Sequence, residues 1–155
     1  MSAIAIHRAV VADLEDLRLL FAQYRVFYKQ QPDAAGEHRF LHERLTHHDS
    51  TIFIARQEQA SVGFVQLFLT YSTVALAPNL LLEDLFVKEE ARGQGVARAL
   101  LDRAKAHATQ LNAASMYLET AHSNRTAQRL YEAAGWKLEN VFRKYNCPLD
   151  QPAPP

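Results

Sequence analysis

A chain of 155 residues has the length of one ordinary domain. Its 17 basic and 17 acidic residues cancel, and 48% hydrophobic against 22% charged residues is an ordinary globular balance, so neither a nucleic-acid binder nor an acidic interaction tail is expected. The single cysteine, Cys147, excludes an internal disulfide and fits a reducing, cytoplasmic setting; the N-terminus lacks a secretory pattern, and no apolar run reaches the ~18 residues of a membrane span.

Ala3 to Val11 reads as a first strand, with Ile4 and Ile6 on one side. Asp13 is placed to cap a helix with the apolar stripe Leu14, Leu17, Phe21, Tyr24 and Tyr28, widened by Leu20 and Phe27 and stopped by Gln31-Pro32-Asp33. The stripe is chiefly core, while Arg25, Tyr28 and Lys29 at its far end can reach a cleft. Glu37 to His47 forms a shorter helix through Phe40, Leu41 and Leu45. His38 and His42 share a face, but Arg39 stands where a zinc-protease helix has Glu, and no third ligand suggests itself, so no metal is expected. Thr51–Arg56, Val62–Tyr71 and Leu80–Val87, with turns at Gln57–Ser61 and Pro78-Asn79, predict an antiparallel meander.

Past the third of these strands the pattern changes. After the charged turn Lys88–Arg92, apolar Ala97, Leu100, Leu101, Ala104 and Ala108 recur at helical spacing. A strand, a glycine-rich turn and a helix require a crossover to a parallel neighbour. That neighbour is Ala114–Thr120, with Ala114, Met116 and Leu118 facing one way and Tyr117 and Glu119 the other. Ser123 is the expected cap of a last helix, Asn124–Ala134, stopped by Gly135. Trp136–Leu138 and Val141–Asn146 read as a closing pair of strands, and Gln151-Pro-Ala-Pro-Pro as a tail. The fold class is α/β: one domain over residues 1–147, a mixed and mostly antiparallel sheet flanked by helices, and a flexible Pro-rich tail over 148–155.

The turn Arg92-Gly93-Gln94-Gly95-Val96-Ala97 carries the chemistry. A helix start leaves backbone N–H groups without intrahelical partners, and the helix dipole adds partial positive charge there. Glycines let the backbone approach a bulky anion, and Arg92 adds a cation with a fork of donors. Together these make a cradle for phosphate or pyrophosphate. A P-loop is excluded because Gly-x-x-x-x-Gly-Lys-Ser/Thr is absent. A dinucleotide fingerprint is excluded because Arg98 stands where its third glycine belongs.

Arg92-x-x-Gly95-x-Ala97 resembles the acetyl-CoA signature of the GNAT superfamily of N-acetyltransferases, Arg/Gln-x-x-Gly-x-Gly/Ala. The preceding Leu82-Glu83-Asp84-Leu85-Phe86-Val87 resembles the branch that contains the diamine (spermidine/spermine) acetyltransferases and the small histone and polyamine acetyltransferases. One strand and one helix later, Asn124-x-x-Ala127-x-x-x-Tyr131, then Gly135 and Trp136, resembles the second motif of the same superfamily.

The resemblance implies acetyl-CoA as co-substrate, in a wedge between splayed parallel strands. Backbone groups of Leu85, Phe86 and Val87 would pair with its pantetheine arm like an added strand. Arg92, Gly93, Gln94, Gly95, Val96, Ala97 and Arg98 would hold its pyrophosphate, and Asn124, Ala127 and Tyr131 would complete its site. A free N–H near Phe86 or Val87 would polarise the acetyl carbonyl. Tyr131 would protonate the departing thiolate, since a phenol of pKa near 10 is a proton donor at neutral pH.

The acceptor amine must lose a proton before it attacks. At a pKa near that of lysine, about 10.4, only about one molecule in a few thousand is neutral at pH 7. Glu83 and Asp84 should alternate faces on their strand, one in the cleft and one packed. The resemblance favours Glu83 as base or amine anchor, with Glu119 as a second candidate. Tyr24, Tyr28 and the loop from Asp33 to Glu37 are the other candidates to meet the acceptor. The resemblance implies a small polyamine or lysine-like amine. Protein or histone lysine, an amino sugar, and a non-catalytic acyl-CoA sensor on the same fold are the competing readings. A homodimer is expected from the same resemblance and from the aromatic residues between Trp136 and Tyr145.

Overall fold

The computed structural model describes residues 2–151. The chain divides into two compact units, one ending at Ala121 and one beginning at His122. The expected tail falls partly outside the described residues; 148–151 carry no regular element.

The first unit runs β1 (Ile4–Arg8), α1 (Leu14–Phe27), α2 (Ala34–His47), β2 (Thr51–Gln57), β3 (Ala60–Ser72), β4 (Ala77–Val87), α3 (Val96–Gln110) and β5 (Ser115–Tyr117). The sheet has the order β1-β2-β3-β4-β5. Its first three pairings are antiparallel and β4–β5 is parallel. Helix α3 supplies the crossover that a parallel pair needs.

Strand alternation divides the apolar residues between two layers. Ile52 and Ile54 of β2, with Phe64 and Phe86, join Leu17 and Leu20 of α1 and Leu41 and Leu45 of α2 in one buried cluster. Phe53, between the two isoleucines, serves the other face, where its ring meets His107 of α3 at 5.5 Å and the Arg103 guanidinium at 4.4 Å. Leu100, Leu101 and Ala104 of α3 are also buried, and losing one such leucine side chain costs about 2–5 kcal/mol. Gly63 of β3 permits the close approach: a Cβ there would lie 2.7 Å from the Phe86 carbonyl oxygen and 3.4 Å from Leu100.

Two irregularities shape the β4 edge. Gln66 pairs with Asp84 and Leu67 with Leu82, so Glu83 has no register partner and forms a bulge. The parallel ladder to β5 holds only Asn79↔Ser115, Leu80↔Met116 and Leu81↔Tyr117. Beyond it, Leu82 to Val87 has no strand partner on that side among the described residues. Strand β5 is accordingly shorter than the sequence pattern suggests, and Glu119 lies beyond its end.

The second unit is built on α4 (Arg125–Ala133). Asn124, not Ser123, is its cap: the Asn124 side chain accepts the Ala127 N–H at 3.1 Å. The helix ends in a Schellman turn, with Trp136 N–H donating to Tyr131 O and Gly135 N–H to Glu132 O, each at 3.0 Å, and Gly135 at φ 89°. The strands expected at Trp136–Leu138 and Val141–Asn146 are absent. A strand requires a ladder partner, and neither segment has one among the described residues. The Val141 N–H is instead taken by the Glu139 carboxylate at 2.7 Å. Leu138, Val141, Phe142 and Tyr145 are exposed.

Candidate active site

The glycine turn is shaped as its composition requires. Gly93 (φ 71°) and Gly95 (φ 84°) both sit in the left-handed region. Gly95 is the N-cap of α3, and no side chain caps that helix or places an acid in its first turn. By contrast, Asp33 and Asn124 cap α2 and α4 through their side chains. The first N–H groups of α3 are thus left for an outside acceptor, and the dipole favours an anion there. Space is available, since a Cβ on either glycine would meet nothing within 4 Å. Arg92 also braces the turn: its Nε donates to the Val87 carbonyl at 3.0 Å and its guanidinium lies 6.0 Å from the Phe86 ring. Gln94 accepts from Gln57 and donates to the Glu90 carbonyl, each at 3.0 Å, tying the loop to β2. Arg98, in the first turn of α3, donates to Asp102 at 3.0 Å. The residues present fit a pyrophosphate-bearing co-substrate.

A cleft of about 440 Å³ opens between α1, α2 and the middle of the sheet, lined among others by Phe21, Tyr24, Arg25, Glu83 and Asp84. The expected alternation of Glu83 and Asp84 fails because the bulge lies at Glu83: both carboxylates line the same cleft. Glu83 is exposed, whereas Asp84 is only 7% exposed. Asp84 accepts from Gln66 Nε2 at 2.6 Å, and Gln66 Oε1 in turn accepts from Ser50 at 2.9 Å. Burial raises the Asp84 carboxyl above its ordinary value, while contacts from Gln66 and Tyr24 pull the other way. Burial, then the nearby Asp84 charge, drives the Tyr24 phenol well above its ordinary range, so Tyr24 is a proton donor and never a base here.

Tyr24 and Glu83 are thus brought together in the cleft. Tyr28 is exposed at the end of α1, its ring tilted 58° to the Tyr24 ring at 4.9 Å, and does not line it. Glu119 is exposed and does not line it either. Gln66, Phe40 and Phe68 line the cleft without having been singled out. For Gln66 the signal was available: it is the one polar side chain in the apolar run Val62–Leu69. In the second unit, Asn124 uses its side-chain oxygen on the Ala127 amide, and Tyr131 lies on α4 with its ring 6.1 Å from Trp136. Among the described residues no group of three or more His, Cys, Asp or Glu could hold a metal ion, and no helix is long and apolar enough to cross a membrane.

Comparison with known proteins agrees with this architecture. Residues 14–136 match the model of the acetyltransferase (GNAT) family. The chain is 40% identical over 140 residues to YhfO, an uncharacterized N-acetyltransferase of Bacillus subtilis (strain 168), covering 90% of this chain and 94% of that protein. The crystal structure of a probable acetyltransferase superposes with a TM-score of 0.90 at 34% identity, covering 95% of this chain and 99% of the other. The fold is also that of an aminoglycoside N-acetyltransferase solved in complex with CoA, with a TM-score of 0.77 at 23% identity over 95% of this chain and 97% of that one. A left-handed glycine turn opening an uncapped helix, a β4 edge left open beyond a short parallel ladder, and a match over most of the chain place this protein in the GNAT family of acetyltransferases.

Proposed function

We propose that the chain transfers an acetyl group from acetyl-CoA to a small primary amine by direct attack in a ternary complex. The observation that carries this reading is the uncapped start of α3 beside the open edge of β4, with the carboxylate-bearing cleft on the same strand. Acetyl-CoA supplies the activated acyl group. The turn Arg92–Ala97 and Arg98 would bind its pyrophosphate, the edge from Leu85 to Val87 its pantetheine amides, and Asn124, Ala127 and Tyr131 complete the assignment by motif.

The chemistry then falls to two side chains. Glu83, exposed on the bulge and lining the cleft, takes the proton of the ammonium directly or through one water. Attack forms the C–N bond and breaks the C–S bond. Tyr131 gives its phenolic proton to the leaving thiolate. Asp84 is buried and already bonded to Gln66, so we assign it to charge balance at the amine subsite rather than to proton removal. The motif resemblance favours a small polyamine or a lysine-like amine as acceptor, and the amine panel below sets these against amino acids, peptides and an amino sugar. We place the reaction in the cytoplasm, in keeping with an unpaired, exposed Cys147, and assign the active form as a homodimer, with the exposed apolar residues from Leu138 to Tyr145 as contact surface.

The experiment is thiol release from acetyl-CoA over a panel of amines: polyamines, lysine, other amino acids, lysine-containing peptides and an aminoglycoside. Amine-dependent release is expected. Binding of acetyl-CoA with release from no member would replace the enzyme by an acyl-CoA sensor.

A further inference from the structure

The cleft has two electrical poles. Glu83 and Asp84, adjacent on β4, form one, and no other carboxylate among the described residues lines it. The other is Arg25 of α1, whose side chain is 26% exposed. Arg25 is not a loose surface arginine. Its Nη1 donates to the Gln31 carbonyl at 3.1 Å and to Glu37 Oε1 at 2.9 Å. Glu37 is 3% exposed and is itself fixed by the Asp33 N–H at 3.2 Å and by Arg18 at 3.6 Å. A buried carboxylate therefore pins one nitrogen of Arg25. Its Nε and Nη2 have no partner among the described residues. Between the poles the walls are Phe21, Phe40, Phe68 and Leu81.

A fixed guanidinium with unengaged donors is the side chain best matched to a carboxylate, which it grips with two parallel charge-assisted bonds. The same cation repels the second ammonium of a diamine. An acceptor that satisfies both poles and the aromatic walls carries one ammonium, one carboxylate and an apolar body. Resting on the acetyltransferase reading above, we infer that the acceptor is an apolar amino acid, with Arg25 as the residue that selects its carboxylate and Glu37 as the residue that positions Arg25.

Three matched acceptors test this: phenylalanine, phenylalaninamide and phenethylamine, with spermidine as the polyamine. The amide has the most acidic ammonium of the three, near that of a peptide α-amino group at about 8, so intrinsic reactivity favours it. The inference expects the reverse order, with kcat/KM for phenylalanine at least ~10² above the amide, phenethylamine and spermidine, because a site built for a polar group rejects analogues that lack it. In Arg25→Gln the preference should collapse through KM for phenylalanine, with phenethylamine unchanged. Should that variant fold poorly with Glu37 left partly unpaired, Arg25→Gln/Glu37→Gln removes both charges and should show the same collapse. Turnover of phenethylamine or spermidine equal to or above phenylalanine overturns the amino-acid assignment and leaves the acetyltransferase reading standing. A preference that survives in a folded Arg25 variant overturns the role of Arg25. Release with none of these four overturns the amino-acid assignment alone, and release with no member of the wider panel overturns the acetyltransferase reading with it.

Discussion

Gln66 Nε2 lies 2.6 Å from Asp84 Oδ2, across the β3–β4 pairing and just before the bulge at Glu83. The bond fixes a carboxylate that burial holds above its ordinary pKa. The folded chain keeps the Asp84 proton to higher pH than the unfolded chain, whose value is about 3.9. The contribution of Asp84 is therefore fully present below that value and is lost as pH rises through the folded one. Relative to the parent, Asp84→Asn should gain stability over that window. Urea denaturation of both proteins from about pH 4 upward checks it; a flat difference would show that Asp84 is not shifted.

His107 has the opposite sign. Burial, then Arg8 and Arg103, lowers its pKa, so the fold holds it neutral against Phe53. Its contribution is present above the unfolded value of about 6.5 and is lost as pH falls through the folded one. His107→Leu should flatten the fall in Tm below about pH 6.5. An equally steep fall in the variant would remove His107 as its cause.

Gly95→Asp tests the anion cradle. Open space surrounds a Cβ there, so the cost at φ 84° is conformational, about 1–2 kcal/mol, and aspartate tolerates that region better than most residues. The fold should survive by circular dichroism, whereas affinity for acetyl-CoA should fall at least ~10²-fold by calorimetry from negative charge at a helix start. Gly95→Asn, equal in shape but neutral, should lose much less. Parent-like affinity in Gly95→Asp would refute the assignment of the loop.

The exposed run from Leu138 to Tyr145 predicts self-association. Light scattering at tens of micromolar should give the mass of two chains, and Phe142→Asp should return it to one. A monomer at that concentration would count against the dimer.

Much of the first unit was legible in the sequence because its signals are local. Helix periodicity fixed α1 and α3, and alternation with short turns fixed the meander. The glycine turn announced itself through two residues that alone accept its backbone angles without strain. What was not legible depended on pairing. The bulge at Glu83 cannot be read from one strand, since it exists only against Gln66 and Leu67, and it decides that both carboxylates enter the cleft. The stretch from Trp136 to Asn146 has strand-like composition, yet composition cannot supply the ladder partner it lacks. The stretch from Asp33 to Glu37, read as a loop that could meet the acceptor, is the cap and first turn of α2, and the burial of Glu37 against Arg18 and Arg25 follows from how α1 meets α2.

The division of labour between Glu83 and Tyr131 is the centre of the account, and paired pH–rate profiles on one accepted amine measure it. Tyr131→Phe keeps the ring and should bind acetyl-CoA nearly as the parent does, yet lower kcat by ~10²–10⁴, the range for a positioned acid, at every pH. Glu83→Gln should be slow near neutrality and recover as pH approaches the pKa of the amine, because neutral amine then arrives without help. The account predicts rescue at high pH for Glu83→Gln and none for Tyr131→Phe; parent-like turnover in either variant across the whole range would contradict it.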